Sequence, residues 1–467
     1  MRKRYGLRMA RRPRARGDPV ALNRRRWIHA FAATTSGRHR AAFGLLACAL
    51  TFATLLAVPR AHAEQPIYPE VGADERFTFP RDHGAHPAFR TEWWYVTGWL
   101  RTRDGDELGF QVTFFRSRLP IADSNPSRFA PKQLLFAHAA LADAKVGHLL
   151  ADQRIARAGF GIAQASDRDA DISLDGWRLM RVAPDKDRVG EHADAESLHF
   201  KTRVAGDRFA LDLDLRATGP VLAQGADAAR PGYSQKGPQA RDASRYYSVP
   251  QLTVSGTIVR SANSSSKKER IQVTGTAWLD REWSSAYLDP RAVGWDWVGL
   301  NFDDGGALMA FQMRDRDGGK LWAGGARRFA DGRVERYAPD DLRFAALRSW
   351  TSPASGATWP VMQRIVIAAQ QHGPLGSGPS PQRPINASTP DPVAPAKAGV
   401  QVGSVSPLAI VVEPLMDNQE LDSRLSTGTI YWEGAVRVHQ DDATHAQIGK
   451  GYLESTGYWQ PIRFGFQ

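Results

Sequence analysis

The sequence predicts an all-β protein made of two tandem β-barrels, and three observations lead to this prediction. Short segments alternate apolar and polar residues, as in Phe209–Leu215 and over most of Gly109–Phe115. Turn signals such as Asp104-Gly105 and Asp304-Gly305 recur between these segments. Helical periodicity is scarce, and strands do not alternate with amphipathic helices. This pattern disfavours a parallel α/β sheet.

An internal echo indicates that the barrel is duplicated. Glu92–Gly98 is an aromatic segment followed by an acidic-glycine turn and by Gly109–Phe114. Gly294–Gly299 is followed by a similar turn and by Ala310–Met313, which again begins with a small residue, Phe and Gln. The echoes lie about 200 residues apart, which suits two tandem domains of one architecture. Chance similarity of two tryptophan-rich hairpins is the alternative.

The net charge of +12 comes from the first residues of the chain and not from its body. Residues 1–63 hold 14 of the 61 Lys and Arg residues and a single acid, Asp18, so the remainder carries 47 basic and 48 acidic residues. Nucleic-acid binding needs surplus positive charge to neutralise phosphates. The composition therefore excludes a basic nucleic-acid-binding body.

The N-terminal segment has the three parts of an export signal. Eleven Lys and Arg residues occupy positions 2–26, an uncharged apolar run covers Ala41–Pro59, and Ala61-His62-Ala63 forms a small-x-small site. We expect cleavage near Ala63 and a periplasmic or secreted protein; an uncleaved anchor is the alternative. Cleavage removes Cys48, the one cysteine, which excludes disulfides and thiolate chemistry in the mature chain.

The predicted organisation has three parts. Residues 1–63 are the signal peptide, residues 72–248 the first barrel domain, and residues 249–467 the second. Residues 371–407 are rich in Pro, Ser and Gly and poor in apolar residues, so we predict a disordered insertion within the second domain.

The densest group of chemically active residues lies within residues 275–297. On a strand, Trp278, Asp280 and Glu282 share one face, because side chains alternate with a period of two. A carboxyl group among aromatic rings has a raised pKa and can serve as a general acid near neutral pH. In the alternative, these acids pair with Arg281 or Arg291, or face water.

A second cluster contains His83, His86 and Glu92, a combination that also occurs in two-histidine, one-carboxylate metal sites. A Gly lies between the histidines and a Pro follows them, so the segment is a loop. We predict no metal; the loop closes one end of a barrel, and hydrogen bonds satisfy His83. His138 lies among small residues and faces either a cavity or the core.

The remaining tryptophans predict a ligand cavity. Residues 64–467 keep 13 of the 14 tryptophans. Large flat side chains lining a barrel make an apolar cavity for a lipid-like or isoprenoid molecule; core filling is the alternative. The mature chain has no Gly-x-Ser-x-Gly, phosphate loop or dinucleotide fingerprint, and no cofactor is predicted.

Several long motifs resemble the AttH / carotenoid hydratase (hydroxyneurosporene synthase) family, over roughly residues 72–465. The motifs are Phe79–His86 with Arg90–Tyr95, Gly275–Trp283, Gly294–Trp297 and Pro414–Leu421. The resemblance implies two lipocalin-like barrels. It also implies one of three roles: a cofactor-free hydratase of acyclic carotenoid ends, a companion of an ABC-transport system, or a secreted hydrolase.

In the hydratase branch, the acid is an Asp two residues after an aromatic residue, which the resemblance maps onto Asp280 after Trp278. Asp280 would protonate an alkene, and Trp278, Trp283 and Tyr247 would stabilise the cation through their π faces. The branch has Tyr at position 278 and His-Asn in place of Arg281-Glu282. The chain is therefore more similar to the secreted AttH-like members.

The sequence thus predicts an exported, monomeric protein that binds a hydrophobic small molecule, with ABC-transporter components as candidate partners and no nucleic acid. The alternative is a cofactor-independent hydratase or secreted hydrolase, so enzymatic activity is left open. The predicted catalytic residues are Asp280, Glu282 and Trp278. The predicted ligand-binding residues are Trp283, Trp295, Trp297, Tyr247, His83, His138, Glu92 and Trp94.

Overall fold

The computed structural model describes residues 66–183, 198–261, 269–286, 288–368 and 407–462. The predicted signal peptide lies outside these residues, and so does the predicted insertion except for Pro407. Apart from the 3-10 turn Arg81–His83, every named element is a β-strand, which confirms the all-β prediction. Among the described residues, no helix has the length and hydropathy needed to cross a membrane.

Two antiparallel sheets contain these strands. The first has 13 strands in the order β4-β3-β2-β1-β13-β12-β9-β8-β7-β6-β5, with β10 and β11 paired to β12. Its strands are β1 (Thr91–Thr102), β2 (Glu107–Arg118), β3 (Gln133–Asp143), β4 (Leu150–Arg157), β5 (Ala163–Ala165), β6 (Asp171–Leu174), β7 (Trp177–Arg181), β8 (His199–Ala205), β9 (Phe209–Arg216), β10 (Leu222–Ala223), β11 (Tyr233–Gln235), β12 (Ala243–Arg260) and β13 (Glu269–Ala286).

The second sheet has ten strands in the order β17-β16-β15-β14-β23-β22-β20-β19-β18, with β21 paired to β22. Its strands are β14 (Gly294–Phe302), β15 (Ala307–Arg314), β16 (Lys320–Arg328), β17 (Val334–Tyr337), β18 (Leu342–Thr351), β19 (Thr358–Ile367), β20 (Leu408–Pro414), β21 (Glu420–Asp422), β22 (Ile430–Gln440) and β23 (Gln447–Ser455).

The two sheets repeat one arrangement. In each, a first hairpin, β1–β2 or β14–β15, is followed by the remaining strands, and the last long strand, β13 or β23, pairs back with the first. The echo noted in the sequence occupies these two hairpins. Contacts between β4 and β6 in the first sheet, and between β16 and β18 in the second, show that both sheets curl. The prediction of tandem barrel-like sheets is therefore confirmed.

The domain boundary between residues 248 and 249 stays a prediction. This position lies within β12, and both β12 and the following strand β13 belong to the first sheet. The chain passes to the second sheet between Ala286 and Gly294.

The strands that join the sheets are buried on both faces. In β9 burial alternates along the strand, as the sequence predicted for a sheet with one buried face. In β13, by contrast, Ala277–Ser284 are all buried. Alternate residues of β13 contribute to the core of the first barrel and to a third aromatic core shared by both sheets. Strands β1, β12 and β13 contact β14 or β23 across this shared core.

Close approach of the two sheets depends on a glycine. A Cβ atom at Gly109 of β2 would lie only 2.6 Å from Cβ of Ala435 and 2.9 Å from Oη of Tyr452, both in the second sheet. Any side chain here would push the sheets apart. The contact between the two sheets is therefore built into the sequence at this position.

Candidate active site between the two sheets

Strand β13 brings the three predicted catalytic residues to the face that meets the second sheet. Trp278, Asp280 and Glu282 are all buried. Nε1 of Trp278 donates a hydrogen bond of 2.7 Å to Oδ1 of Asp280. The predicted common face is confirmed. However, this face looks into the space between the sheets and not into the hollow of either barrel.

Asp280 accepts hydrogen bonds from three donors. Besides Trp278, Oγ of Ser248 lies 2.6 Å from Oδ1 and Oη of Tyr246 lies 2.6 Å from Oδ2. Both come from β12, where Ser248 is the cross-strand partner of Asp280. Burial raises the pKa of Asp280 to about 7, although these donors oppose the shift. The raised pKa expected from the sequence is confirmed.

The three bonds also indicate which oxygen holds the proton. Oδ1 accepts two hydrogen bonds, whereas Oδ2 accepts one. An oxygen with fewer donors has more room for its own hydrogen. Of the two oxygens, Oδ2 therefore has the freer position for the acidic proton, beside the Tyr246 hydroxyl.

Glu282 lies next to Asp280 on the same face and has different partners. It accepts a hydrogen bond from Ser244 and lies 3.3 Å from Nζ of Lys236. Burial raises the pKa of Glu282 and lowers that of Lys236, and their mutual attraction opposes both shifts. Nζ of Lys236 also lies 4.1 Å from the ring centre of Phe311. Lys236 therefore links β13 to the second sheet.

The second sheet contributes two more carboxyl groups. Glu433 of β22 and Glu454 of β23 are cross-strand partners. Burial raises the pKa of Glu454 to about 8 and also raises the pKa of Glu433, which the nearby Glu454 raises further. The two oxygens of Glu433 and Oη of Tyr95 are buried without a hydrogen bond of standard geometry.

Aromatic and thioether side chains from both sheets enclose these acids. Nε1 of Trp297 donates to Oη of Tyr246 at 3.1 Å, and the Tyr95 and Trp297 rings meet edge to face at 5.3 Å. Trp295 packs against the same group. The shared core includes Tyr95, Trp99, Tyr246, Trp278, Trp297, Met309, Phe311, Met313 and Tyr452.

A small cavity lies beside this shared core. The cavity measures about 70 Å³ and lies between the segment Gly225–Gln235 and strand β16, next to Phe311 and Trp322. Ligand pockets for drug-sized molecules are about 300 Å³ or larger. A lipid-sized molecule would therefore need this region to widen.

Five of the predicted ligand-binding residues lie on the other side of the sheet, inside the first barrel or at its end. Trp283, Tyr247 and Trp94 belong to the first barrel core, and Nδ1 of His83 lies 2.6 Å from Oη of Tyr247. The predicted stabilisation of a cation at Asp280 by Trp283 and Tyr247 is therefore wrong. Alternation along β12 and β13 turns both side chains away from Asp280, and the neighbouring Tyr246 takes the expected place.

The interior of the first barrel holds a balanced ion-pair network around Glu92. Glu92 pairs with Arg116 and Arg281 and accepts hydrogen bonds from the backbone N–H of His86. Although burial opposes ionisation, the two guanidinium groups hold the pKa of Glu92 well below its usual range. Because Arg281 is engaged here and Arg291 pairs with Asp289, neither arginine takes up the carboxylates of Asp280 and Glu282.

Both histidines with predicted roles have hydrogen-bond partners. Burial lowers the pKa of His83 and of His138 to about 3 in each case. His138 of β3 lies between the sheets, where its ring nitrogens are 2.8 Å from Oη of Tyr431 and 2.8 Å from Oγ of Ser426. His138 is therefore a satisfied core histidine, which is the alternative that the sequence left open.

Sequence reasoning missed the partners that complete the site. Tyr246 and Ser248 lie in the first part of β12, one strand away from the predicted acids of β13. Glu433 and Glu454 carry one signal in the sequence, which is a carboxylate directly flanked by apolar or small residues, as in Trp432-Glu433-Gly434 and Leu453-Glu454-Ser455. Such residues are rare in strands buried on both faces unless they have a role.

Two curled antiparallel sheets that repeat one strand arrangement define a lipocalin-type fold. The chain belongs to the AttH-like family, whose model matches residues 70–373. A crystal structure from Nitrosomonas europaea, whose protein carries a provisional AttH assignment, is 41% identical to this chain. The match covers 84% of this chain and 100% of that one, with a TM-score of 0.65.

A second solved structure has the same fold at much lower identity. Kievitone hydratase from Nectria haematococca is 12% identical, and the match covers 85% of this chain and 98% of that one with a TM-score of 0.54. At this identity the likeness concerns the fold alone. A comparison with curated proteins gave no match. The AttH part of the predicted resemblance is confirmed, whereas the link to carotenoid hydratases stays a prediction.

Proposed function

We propose that this chain is a cofactor-independent enzyme that admits a hydrophobic small molecule between its two sheets and protonates it with Asp280. The observation that carries the proposal is the cluster of Asp280, Glu282, Glu433 and Glu454 inside an aromatic enclosure, in which three acids are buried, Glu454 is half-buried, and all four have raised pKa values. Burying acids without balancing cations is costly. A purely structural core has no need of them.

The reaction that fits this chemistry is the hydration of a carbon–carbon double bond. The proton on Oδ2 of Asp280 would form a new C–H bond, leaving a cation on the more substituted carbon. The π faces of Trp278, Trp297 and Tyr95 would stabilise that cation. A water molecule would then form the C–O bond and return a proton to Asp280, so that one water is added and the acid is restored.

The three hydrogen-bond donors to Asp280 support both halves of this cycle. When Asp280 has given up its proton, Tyr246, Ser248 and Trp278 stabilise the carboxylate. When the acid is restored, burial favours the neutral form. Opposed effects of this kind hold the pKa near neutral pH, where an acid both donates and recovers a proton efficiently.

A binding protein without turnover is the second candidate. It is favoured by the apolar enclosure, which is built from both sheets and includes flexible Met309 and Met313.

The finer parts of the sequence prediction belong to either candidate: export with cleavage near Ala63, a periplasmic or secreted location, a monomeric state, and ABC-transporter components as partners. N-terminal sequencing of the protein recovered from periplasmic and medium fractions tests the export step.

The two candidates differ in their response to Asp280→Asn. We would incubate the protein with hydrophobic extracts of its host in isotopically labelled water and search by mass spectrometry for products that gain one labelled water. The wild type should form such products and Asp280→Asn should lose at least about 100-fold in rate. Asp143→Asn, which alters a buried acid paired with Arg260 outside the site, is the matched control.

Three other outcomes would contradict the proposed enzyme or both candidates. Product formation that is unchanged in Asp280→Asn would exclude Asp280 as the acid. A ligand that co-purifies with both wild type and Asp280→Asn, with no labelled product from either, would favour the binding protein. If neither a labelled product nor a co-purified ligand is found, both candidates are overturned.

A further inference from the structure

We propose a divalent transition-metal site, best suited to Zn²⁺, formed by Glu413, His439 and His445 on the second sheet. One ligand atom from each of the three residues lies within 4.8 Å of the others. Glu413 is in β20, His439 in β22, and His445 in the turn from β22 to β23. Two imidazoles and a carboxylate are a donor set that Zn²⁺ favours.

The hydrogen bonding of His439 determines which of its nitrogens is free. Nδ1 lies 3.1 Å from the backbone carbonyl oxygen of His445. A carbonyl oxygen can only accept, so Nδ1 must hold the hydrogen. Metal-ligating histidines in proteins are usually oriented by such a bond from their other nitrogen. Nε2 is then the nitrogen that is available to a metal.

Nε2 of His439 faces a carboxylate and no donor. It is 3.5 Å from Oε2 of Glu413, and it is buried without a hydrogen bond. A metal binds the tautomer with its hydrogen on Nδ1, in which Nε2 carries a free lone pair beside this carboxylate. A cation between the two atoms would contact both of them.

The backbone places His445 against His439 at some cost. His445 has φ of +45°, a left-handed conformation that is uncommon for a residue other than glycine. Its N–H lies 3.2 Å from the carbonyl oxygen of Asp442. The two imidazole rings are stacked with centres 4.4 Å apart, and the exposed His445 ring would turn out of this stack to share a metal with His439, because nitrogen lone pairs lie in the ring plane. Strained residues of this kind are concentrated at functional sites.

The surrounding charges leave Glu413 available. Its cross-strand partner Arg437 is engaged by Glu107 of the first sheet at 2.7 Å. Among the described residues, His439 is the only basic group within ion-pair distance of Glu413. His445 is exposed, so a metal here would have an open position for water, and it would fasten the β22–β23 turn to β20.

The test is titration of the tag-free full chain with Zn²⁺ by isothermal calorimetry. We expect one saturable site, and at least a tenfold loss of affinity in each of His439→Gln, His445→Ala and Glu413→Gln. His199→Gln is the matched control, because His199 pairs with Asp214 in the first sheet. The Zn²⁺ affinity of this variant should equal that of wild type. Mg²⁺, which prefers oxygen ligands, should not compete.

A second measurement guards against loss of folding in the variants. Zn²⁺ should raise the thermal unfolding midpoint of wild type and of His199→Gln but not that of His439→Gln, while the metal-free midpoints stay within a few degrees of one another. No saturable Zn²⁺ binding by the folded wild type would overturn the proposal. Affinity unchanged in both His439→Gln and His445→Ala would also overturn it.

Discussion

The two faces of strands β1 and β13 contain acids that are equally buried and behave in opposite ways. Inside the first barrel, Glu92 is matched by Arg116 and Arg281, and its pKa is lowered. Between the sheets, Asp280 and Glu282 have one nearby cation, Lys236, and their pKa values are raised. Burial is the same on both sides, so the number of partner cations determines the direction of the shift.

This difference separates a structural polar network from a candidate reactive one. A carboxylate held by two guanidinium groups is a permanent anion that organises its neighbours. A carboxyl group held mainly by hydroxyl and indole donors can change its protonation state near neutral pH. The two groups of acids lie on the same pair of strands and are buried to the same extent, so they differ mainly in the partners that surround them.

The largest expected effect is on stability, from removing the charge of Glu92. Glu92→Gln leaves two buried guanidinium groups without their anion and should lower the free energy of unfolding by about 3–5 kcal/mol. Asp280→Asn is the matched change on the other face; Asp280 is held by hydroxyl and indole donors, so the change leaves no cation without its partner and should cost about 1 kcal/mol or less. Urea unfolding of both variants measures this. Equal losses would contradict the distinction between the two faces.

A second effect is the dependence of stability on pH. The pKa of Asp280 is raised from 3.8 to about 7 on folding, so the folded state binds the proton more tightly than the unfolded state. Its contribution is complete below about pH 4 and is lost as the pH rises through 7. Between pH 5 and 8 the free energy of unfolding should fall by about 3 kcal/mol from this group.

The comparison variant for that measurement is Asp280→Asn, which has no group to titrate at this position. Its curve of unfolding free energy against pH should be flatter than that of wild type over the same range, and the two curves should cross. A difference in unfolding free energy between wild type and Asp280→Asn that stays constant from pH 5 to 8 would show that Asp280 is already ionised in the folded protein.

The next effect is on the reaction. Asp280→Asn should reduce turnover at least about 100-fold with little change in ligand affinity, because it removes the proton and keeps the shape of the side chain. Wild-type activity should decline as the pH rises above about 7, where Asp280 loses its proton. Single-turnover rates over a range of pH values measure both. A rate that increases with pH would indicate a general base instead.

The smallest expected effect distinguishes two adjacent tyrosines. Tyr246→Phe removes the donor to Oδ2 of Asp280 and should raise the pKa of that acid by about one unit, equivalent to about 1.4 kcal/mol. Tyr247→Phe changes the next residue, whose hydroxyl contacts His83 on the other face, and should leave it unchanged. NMR titration of the Asp280 carboxyl carbon measures the shift. Equal shifts in both variants would mean that the two faces are not independent.

Much of this site could be predicted from the sequence because it depends on local periodicity. The period of two along β13 placed Trp278, Asp280 and Glu282 together, and the aromatic neighbours predicted a raised pKa. The echo between β1–β2 and β14–β15 predicted the tandem sheets. In each case the relevant residues lie within one strand or one hairpin.

The tertiary structure alone decided which face holds the candidate site and what completes it. Because β13 is buried on both faces, its sequence does not distinguish the barrel interior from the space between the sheets, and Trp283 was grouped with Asp280 although it lies on the other side. The partners Tyr246 and Glu454 come from other strands, and their positions follow from sheet curvature and from packing between the sheets. Periodicity is a property of neighbouring residues, whereas such contacts depend on the path of the whole chain.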